Sequence, residues 1–317
     1  MGIPSGTGAE PPPVPEAVAA NVRLRDGGER WLRELPGALA ELRDAWGLRF
    51  ERAPYSGGSC SWAAPVRTAD GSPAVLKVSY PHREASGEAT ALRFWAGDGA
   101  VRLLRSSRNG FSLLLEGCTP GTPMSAVCAP ADELLTAGAH TLVGLWGREA
   151  TGDLGLEPLD AVLTEWAALL RERLDRLRPE CADPGFVHVA ADLLESLPAT
   201  AARTVVLHGD FNPGNILAAE RAPWLAIDPK PMVGDPGYDL WPLLVQVDDP
   251  FAHPDPEAVL CRRLALVSGI LGEPVDRLAA WCVARTVESA FERFNLCQSG
   301  GREEMERAEV LARIAGV

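Results

Sequence analysis

Between Thr204 and Asp228 the chain has few backbone paths open to it. A β-branched apolar run, Thr204 to Leu207, reads as a buried strand that stops abruptly at His208-Gly209-Asp210. Asn212-Pro213-Gly214-Asn215 is a row of turn formers, and Ile216-Leu217 then begins a second short apolar segment. Trp224 to Ile227 is a third, ending on the carboxylate of Asp228. Three acceptor side chains, Asp210, Asn215 and Asp228, are thereby held at strand ends and loops that can converge. Asp and Asn in turns often do no more than cap backbone groups. Their order here matches a kinase catalytic loop, in which an Asn follows the catalytic Asp and a metal-binding Asp lies further along. Phosphoryl transfer needs such a set: one carboxylate receives the proton of the attacking hydroxyl, while an amide and a second carboxylate hold Mg²⁺ against nucleotide phosphates.

Positive charge in this chain is almost entirely arginine. Of 30 Lys and Arg residues only Lys77 and Lys230 are lysines. Lys77 lies in the apolar run Ala74-Val75-Leu76-Lys77-Val78, where a kinase carries the lysine that contacts the α/β-phosphates and pairs with a helix glutamate. An exposed strand lysine is the ordinary alternative; its rarity and position favour function. Residues 82–95 read as a helix with Ala85, Ala89, Leu92 and Trp95 at core spacing, offering Glu84 and Glu88 one turn apart as partners. Glu88 is preferred.

Ser56-Gly57-Gly58-Ser59 precedes the second of three short strands (residues 48–53, 62–68 and 73–79). It lets backbone N–H groups approach phosphates, although a plain hairpin turn explains it equally well. Strands at 101–104 and 111–115 lead into Glu116-Gly117-Cys118-Thr119-Pro120-Gly121. Its Gly and Pro mark a linker, which in a two-lobed protein would present backbone polar groups to an adenine edge. Glu116 and Cys118 are thus candidate nucleotide contacts.

The division expected is a disordered tail (1–16), an N-terminal nucleotide-binding lobe with a leading helix (17–116), a hinge (117–121) and a helical C-terminal lobe (122–317). Helices are expected at 31–46, 132–146, 159–176, 184–197, near 240, and at 257–271, 275–294 and 303–314. At 46% hydrophobic and 23% charged, the composition is that of an ordinary globular protein. The net charge of −13 disfavours nucleic acid and anionic membrane as partners and suits a cationic ligand. No apolar run approaches membrane-spanning length, and a signal-peptide pattern is missing at the start, so cytoplasmic location is expected. Seven cysteines without a C-x-x-C pair read as reduced thiols.

These residues together resemble the aminoglycoside phosphotransferase family, most closely its streptomycin 6-phosphotransferase and hydroxyurea-resistance branch. The resemblance is carried by the Lys77 strand, Gly99 to Leu104, Leu113 to Glu116, His208 to Leu217, Ile227-Asp228-Pro229-Lys230-Pro231 and Gly234-Asp235-Pro236. It implies an α+β, two-lobed, protein-kinase-like fold with a small β-rich N-lobe and a larger, mainly helical C-lobe. It also implies ATP or GTP as co-substrate with Mg²⁺, Asp210 as catalytic base, Asn215 and Asp228 as metal ligands, and Lys77 as a phosphate contact. Gly209 replaces the arginine of the protein-kinase His-Arg-Asp, and Pro-Lys-Pro follows Asp228 where protein kinases have Phe-Gly. With no Ala-Pro-Glu downstream, a constitutive small-molecule kinase is expected. A monomer is the expected state, although no residue in the sequence decides it. Lys230 has no role assignable from sequence; phosphate contact and pairing with a core acid are both open.

For the acceptor, a streptomycin-like aminoglycoside comes first, since carboxylates recognise guanidinium groups by bidentate charge-assisted bonds. Glu288 and Glu292 stand at i, i+4, and Asp235 and Asp239 lie near the catalytic loop; together they are a candidate acidic acceptor wall. The glutamates read equally well as a solvated helix face or as partners of Arg285 or Arg293, and the aspartates as helix caps. Asp239 reads better as a brace of the catalytic loop than as a reacting group. Another hydroxyl-bearing antibiotic (a nucleoside antibiotic included), a sugar or amino-alcohol metabolite, and a non-catalytic nucleotide-binding regulator are the alternatives.

Overall fold

The computed structural model describes residues 11–317. Most of the expected disordered tail lies outside the described residues. Its last residue, Glu16, already opens a helix, α1 (Glu16–Arg23), which buries Val18, Ala19 and Val22 on one face. The chain divides into two compact units: one runs to Gly97 and takes in Val101–Gly121, the other comprises Asp98–Ala100 and Thr122–Val317.

In the first unit α2 (Gly28–Trp46) is followed by β1 (Arg49–Phe50), β2 (Ser61–Arg67), β3 (Pro73–Ser79), α3 (Glu88–Trp95), β4 (Leu103–Ser106) and β5 (Ser112–Glu116). The strands form one sheet in the order β1-β2-β3-β5-β4, antiparallel throughout. Alternation decides what each face does. Trp62, Ala64 and Val66 of β2 and Ala74, Leu76 and Val78 of β3 share a core with Leu35 and Leu39 of α2. The intervening Lys77 therefore belongs to the opposite face of the sheet. The continuous helix expected over 82–95 is broken: a 3₁₀ turn spans Arg83–Ala85 and α3 starts only at Glu88. Ser86 and Gly87 are weak helix formers, and the Ser86 hydroxyl donates instead to the Arg83 carbonyl (2.6 Å).

The second unit begins within β6 (Pro120–Pro123) and continues through α4 (Ala131–Leu145), β7 (Glu157–Pro158), α5 (Leu159–Leu177), α6 (Pro184–Ala199), β8 (Val205–Leu207), β9 (Ile216–Ala219), β10 (Trp224–Ala226), β11 (Met232–Gly234), α7 (Leu240–Gln246), α8 (Pro256–Leu271), α9 (Val275–Asn295) and α10 (Gly301–Ala315). Asp183 and Asp255 cap α6 and α8, each followed by a proline in the first turn where its missing N–H costs nothing. The core centres on α9, whose Trp281, Cys282 and Val283 are fully buried. Two small sheets, β10-β9-β6 and β7-β11-β8, hold the segment that the sequence marked first. The expected strand at 101–104 begins two residues late, because Ala100 instead bridges to Ala226 within the second unit. The observed architecture is α+β, and among the described residues no helix is long and apolar enough to cross a membrane.

Candidate active site

The catalytic loop hangs between two strand pairings. β8 is wholly buried and pairs antiparallel with β11, Leu207 opposite Met232. Extended beyond the strands, this register lets the Lys230 N–H donate to the His208 carbonyl at 2.8 Å. Gly209 lies between them at φ +78°, and a Cβ there would stand 1.9 Å from the Lys230 carbonyl oxygen. Only glycine satisfies both demands, which explains why the arginine of protein kinases is replaced. Asp239, fully buried, braces the turn: its carboxylate accepts from the backbone N–H of His208 (2.9 Å) and Gly209 (2.8 Å) and from Trp146 Nε1 (3.2 Å).

His208 is a structural pin. Its Nε2 donates to the Ile227 carbonyl (3.0 Å) while Nδ1 accepts from the Asp210 N–H (3.3 Å). That pattern requires the neutral ring, and burial lowers its pKa below the ordinary histidine value in agreement. Asn212 then sets Asp210. Its Nδ2 donates to Asp210 Oδ1 at 2.9 Å, and its own Oδ1 accepts from Gly214 N (2.9 Å) and Asn215 N (3.2 Å). Asp210 Oδ2 faces Lys230 Nζ at 3.4 Å.

The β9–β10 hairpin brings in the other two acceptors. Ile216 pairs with Ala226, and the Ile227 N–H donates to the Asn215 carbonyl (2.9 Å), so Asn215 and Asp228 flank one hairpin end. Asn215 Nδ2 donates to the Asp210 carbonyl (3.0 Å), so Oδ1 is the atom of that amide able to bind a metal. Asp228 is exposed and holds φ +55°, a left-handed conformation rare outside glycine. One amide oxygen and one carboxylate fit a Mg²⁺ ion that takes its other ligands from phosphates and water. No group of three or more His, Cys, Asp or Glu suited to a metal occurs among the described residues, and a two-oxygen set is not a zinc site.

In the first unit Lys77 donates to both carboxylate oxygens of Glu88, at 2.7 and 2.6 Å, with both side chains buried. The break before α3 makes Glu88 its first residue and fixes the approach. Ser56, Gly57, Gly58 and Ser59 form an irregular, mostly exposed segment, and a Cβ on Gly58 would meet the Ser61 carbonyl at 2.6 Å. Glu116 ends β5, and its carboxylate accepts from the Arg102 N–H (3.0 Å). Cys118 is partly buried and follows Gly117, whose backbone lies against Pro73.

The acidic wall needs correction. Asp235 is buried and accepts from Gly237 N (2.9 Å), Arg277 Nε (3.0 Å) and Trp281 Nε1 (2.9 Å). Asp239 is consumed by the loop it braces. Neither aspartate has an oxygen to offer an acceptor, since each is desolvated and saturated by protein donors. Glu292 pairs with Arg173 across to α5. Glu288 alone keeps the features of a binding carboxylate: it is half-buried, and burial pushes its pKa above the usual carboxylate range. Arg285 does not pair with it within 4 Å; its guanidinium stacks on Tyr238 (4.1 Å to the ring centre) and Trp241 (5.0 Å).

Sequence reasoning missed Asn212 as the orienting group for Asp210 and left Lys230 unplaced. The scarcity of lysine was the available signal for the latter; for the former, an Asn opening a turn looks the same whether or not its amide reaches a neighbouring carboxylate.

Residues 46–295 match the family model described as aminoglycoside/hydroxyurea antibiotic resistance kinase. A streptomycin 6-kinase of Streptomyces glaucescens is 36% identical, the match covering 87% of this chain and 89% of that one. A hydroxyurea phosphotransferase of Kitasatospora aureofaciens is also 36% identical, over 86% of this chain and 78% of its own length. Among solved structures, the GDP complex of aminoglycoside 2′-phosphotransferase-IIIa superposes with a TM-score of 0.58 at 14% identity, covering 88% of this chain and 98% of that one. The chain belongs to the aminoglycoside/hydroxyurea antibiotic resistance kinase family.

Proposed function

We propose that the protein transfers the γ-phosphoryl group of ATP or GTP to a hydroxyl of a streptomycin-like aminoglycoside and so inactivates it. The observation that carries this reading is the convergence of Asp210, Asn215 and Asp228 through two strand registers, in a chain 36% identical to a streptomycin 6-kinase. The acceptor hydroxyl gives its proton to Asp210 as its oxygen attacks the γ-phosphorus in line. Asn212 fixes the carboxylate by occupying Oδ1, and the neutral His208 holds the loop without competing for that proton. Lys77, oriented by Glu88, contacts the α/β-phosphates, while Ser56, Gly57, Gly58 and Ser59, with Glu116 and Cys118, contribute to nucleotide binding. Asn215 and Asp228 hold Mg²⁺, which when bound neutralises phosphate charge. Glu288 takes a guanidinium or ammonium group of the acceptor.

Mass spectrometry of antibiotics and metabolic alcohols incubated with the protein, Mg²⁺ and ATP or GTP tests this. A gain of one phosphoryl group on streptomycin is expected, with Asp210→Asn slower by at least the ~10²–10⁴-fold typical of lost general-base catalysis. A gain on hydroxyurea or another hydroxyl compound instead moves the acceptor and keeps the chemistry. No gain on any compound, or near-native turnover by Asp210→Asn, overturns the reading.

A further inference from the structure

Lys230 is one of two lysines in a chain whose other Lys and Arg positions are all arginine. It is held to the catalytic loop twice through its backbone, by its N–H to the His208 carbonyl (2.8 Å) and by its carbonyl packed against Gly209. Its ammonium stands 3.4 Å from the carboxylate oxygen of Asp210 that Asn212 does not occupy. Both side chains are accessible, Lys230 at 44% and Asp210 at 29%. A stabilising surface ion pair between exposed side chains contributes little. A cation anchored by its own backbone beside a general base is a different object, because its charge is already in place when phosphate charge moves toward that base.

We propose that Lys230 is a catalytic cation of the phosphotransfer, an inference that rests on the reading of Asp210 given above. In the resting enzyme its ammonium holds the free oxygen of Asp210 in position. During transfer it hydrogen-bonds a non-bridging oxygen of the γ-phosphoryl group as that group leaves the nucleotide. The acceptor O–H bond breaks and its proton goes to Asp210. The acceptor oxygen bonds to the γ-phosphorus, and the bond from that phosphorus to the bridging oxygen breaks with its electron pair, releasing nucleoside diphosphate. Lys230 keeps its proton throughout, and Asp210 later loses the one it received to solvent. A compact ammonium on a flexible stem suits a position that must serve a carboxylate and then a phosphoryl oxygen, whereas the planar guanidinium fork is built for one bidentate partner.

Steady-state kinetics of the full-length protein with Lys230→Ala, Lys230→Met and Lys230→Arg tests the assignment. Losing one preorganised donor in such a site lowers kcat by ~10²–10³-fold. That loss is expected in the Ala and Met variants, with KM for nucleotide and acceptor held within about threefold, as follows for an interaction strongest in the transition state. Lys230→Arg should recover part of the rate, and methylamine added to Lys230→Ala should raise kcat in a saturable manner while leaving Asp210→Asn unchanged. A kcat within about threefold of wild type in the Ala and Met variants overturns the proposal, as does a loss that neither arginine nor methylamine restores. Failure of the wild-type protein to phosphorylate any acceptor overturns the functional reading and this inference together. Wild-type transfer with indifferent Lys230 variants overturns this inference alone.

Discussion

Asp239 shows how one side chain can decide whether a loop exists. Its two oxygens receive three N–H donors, two of them from consecutive residues of the His208-Gly209-Asp210 turn. Asparagine at this position keeps one acceptor and turns an NH₂ group toward donors. Hydrogen bonds to charged groups contribute ~1.5–3 kcal/mol, so Asp239→Asn should lower stability by about 2–3 kcal/mol in urea denaturation and should slow transfer as well. An unchanged denaturation midpoint would contradict the bracing role. His208 supplies a pH dependence at the same scale. Its folded pKa lies below the unfolded value, so below about pH 6.5 the unfolded chain binds more protons than the native one. The stability linked to this histidine is complete above that pH and lost as pH falls. Thermal midpoints measured at about pH 7.5 and about pH 5.5 should differ more for the wild type than for His208→Asn.

At the scale of elements, registers and breaks matter more than lengths. The alternation of β3 buries Leu76 and Val78 in the core with α2 and turns Lys77 to the other face. The start of α3 at Glu88 then puts that carboxylate against it. Both members of the pair are buried, and removing the charge of one takes from the other a bidentate, charge-assisted partner. Glu88→Gln is therefore expected to raise KM for nucleotide about tenfold or more and to destabilise the first unit by roughly 3–5 kcal/mol, read by nucleotide titration and by unfolding. Nucleotide affinity equal to wild type would sink the assignment of Lys77 as a phosphate contact oriented by Glu88. The long helices were legible from periodicity because each buries one stripe along its own length. The three-residue β11 was not: Met232-Val233-Gly234 carries no local signal, and it exists as a strand through its pairing with β8 and β7. Nor was α1 read, because the Pro- and Ala-rich start obscured the short apolar stripe of Val18, Ala19 and Val22.

For the molecule as a whole, the net charge of −13 sets a long-range attraction for cations, and the function proposed above assigns the local contact to Glu288. KM for a guanidinium-bearing acceptor should therefore rise with added salt. In Glu288→Gln it should rise by about 10–100-fold at low salt, with kcat little changed and the salt dependence reduced. Equal KM values for wild type and variant would remove Glu288 from the acceptor site. The sequence alone determined the chemistry that can occur here. The order Asp210, Asn215, Asp228, the lysine strand and the turn residues between them are local facts, and local facts survive reading along a line. Tertiary structure decided which acids remain available for that chemistry. Asp235 is taken by Arg277 and Trp281, Asp239 by the catalytic loop and Trp146, and Glu292 by Arg173. Those partners lie far along the chain, so only folding could bring them together. The same holds for Lys230, which reaches Asp210 because β11 pairs with β8, a long-range pairing that no spacing in the sequence encodes.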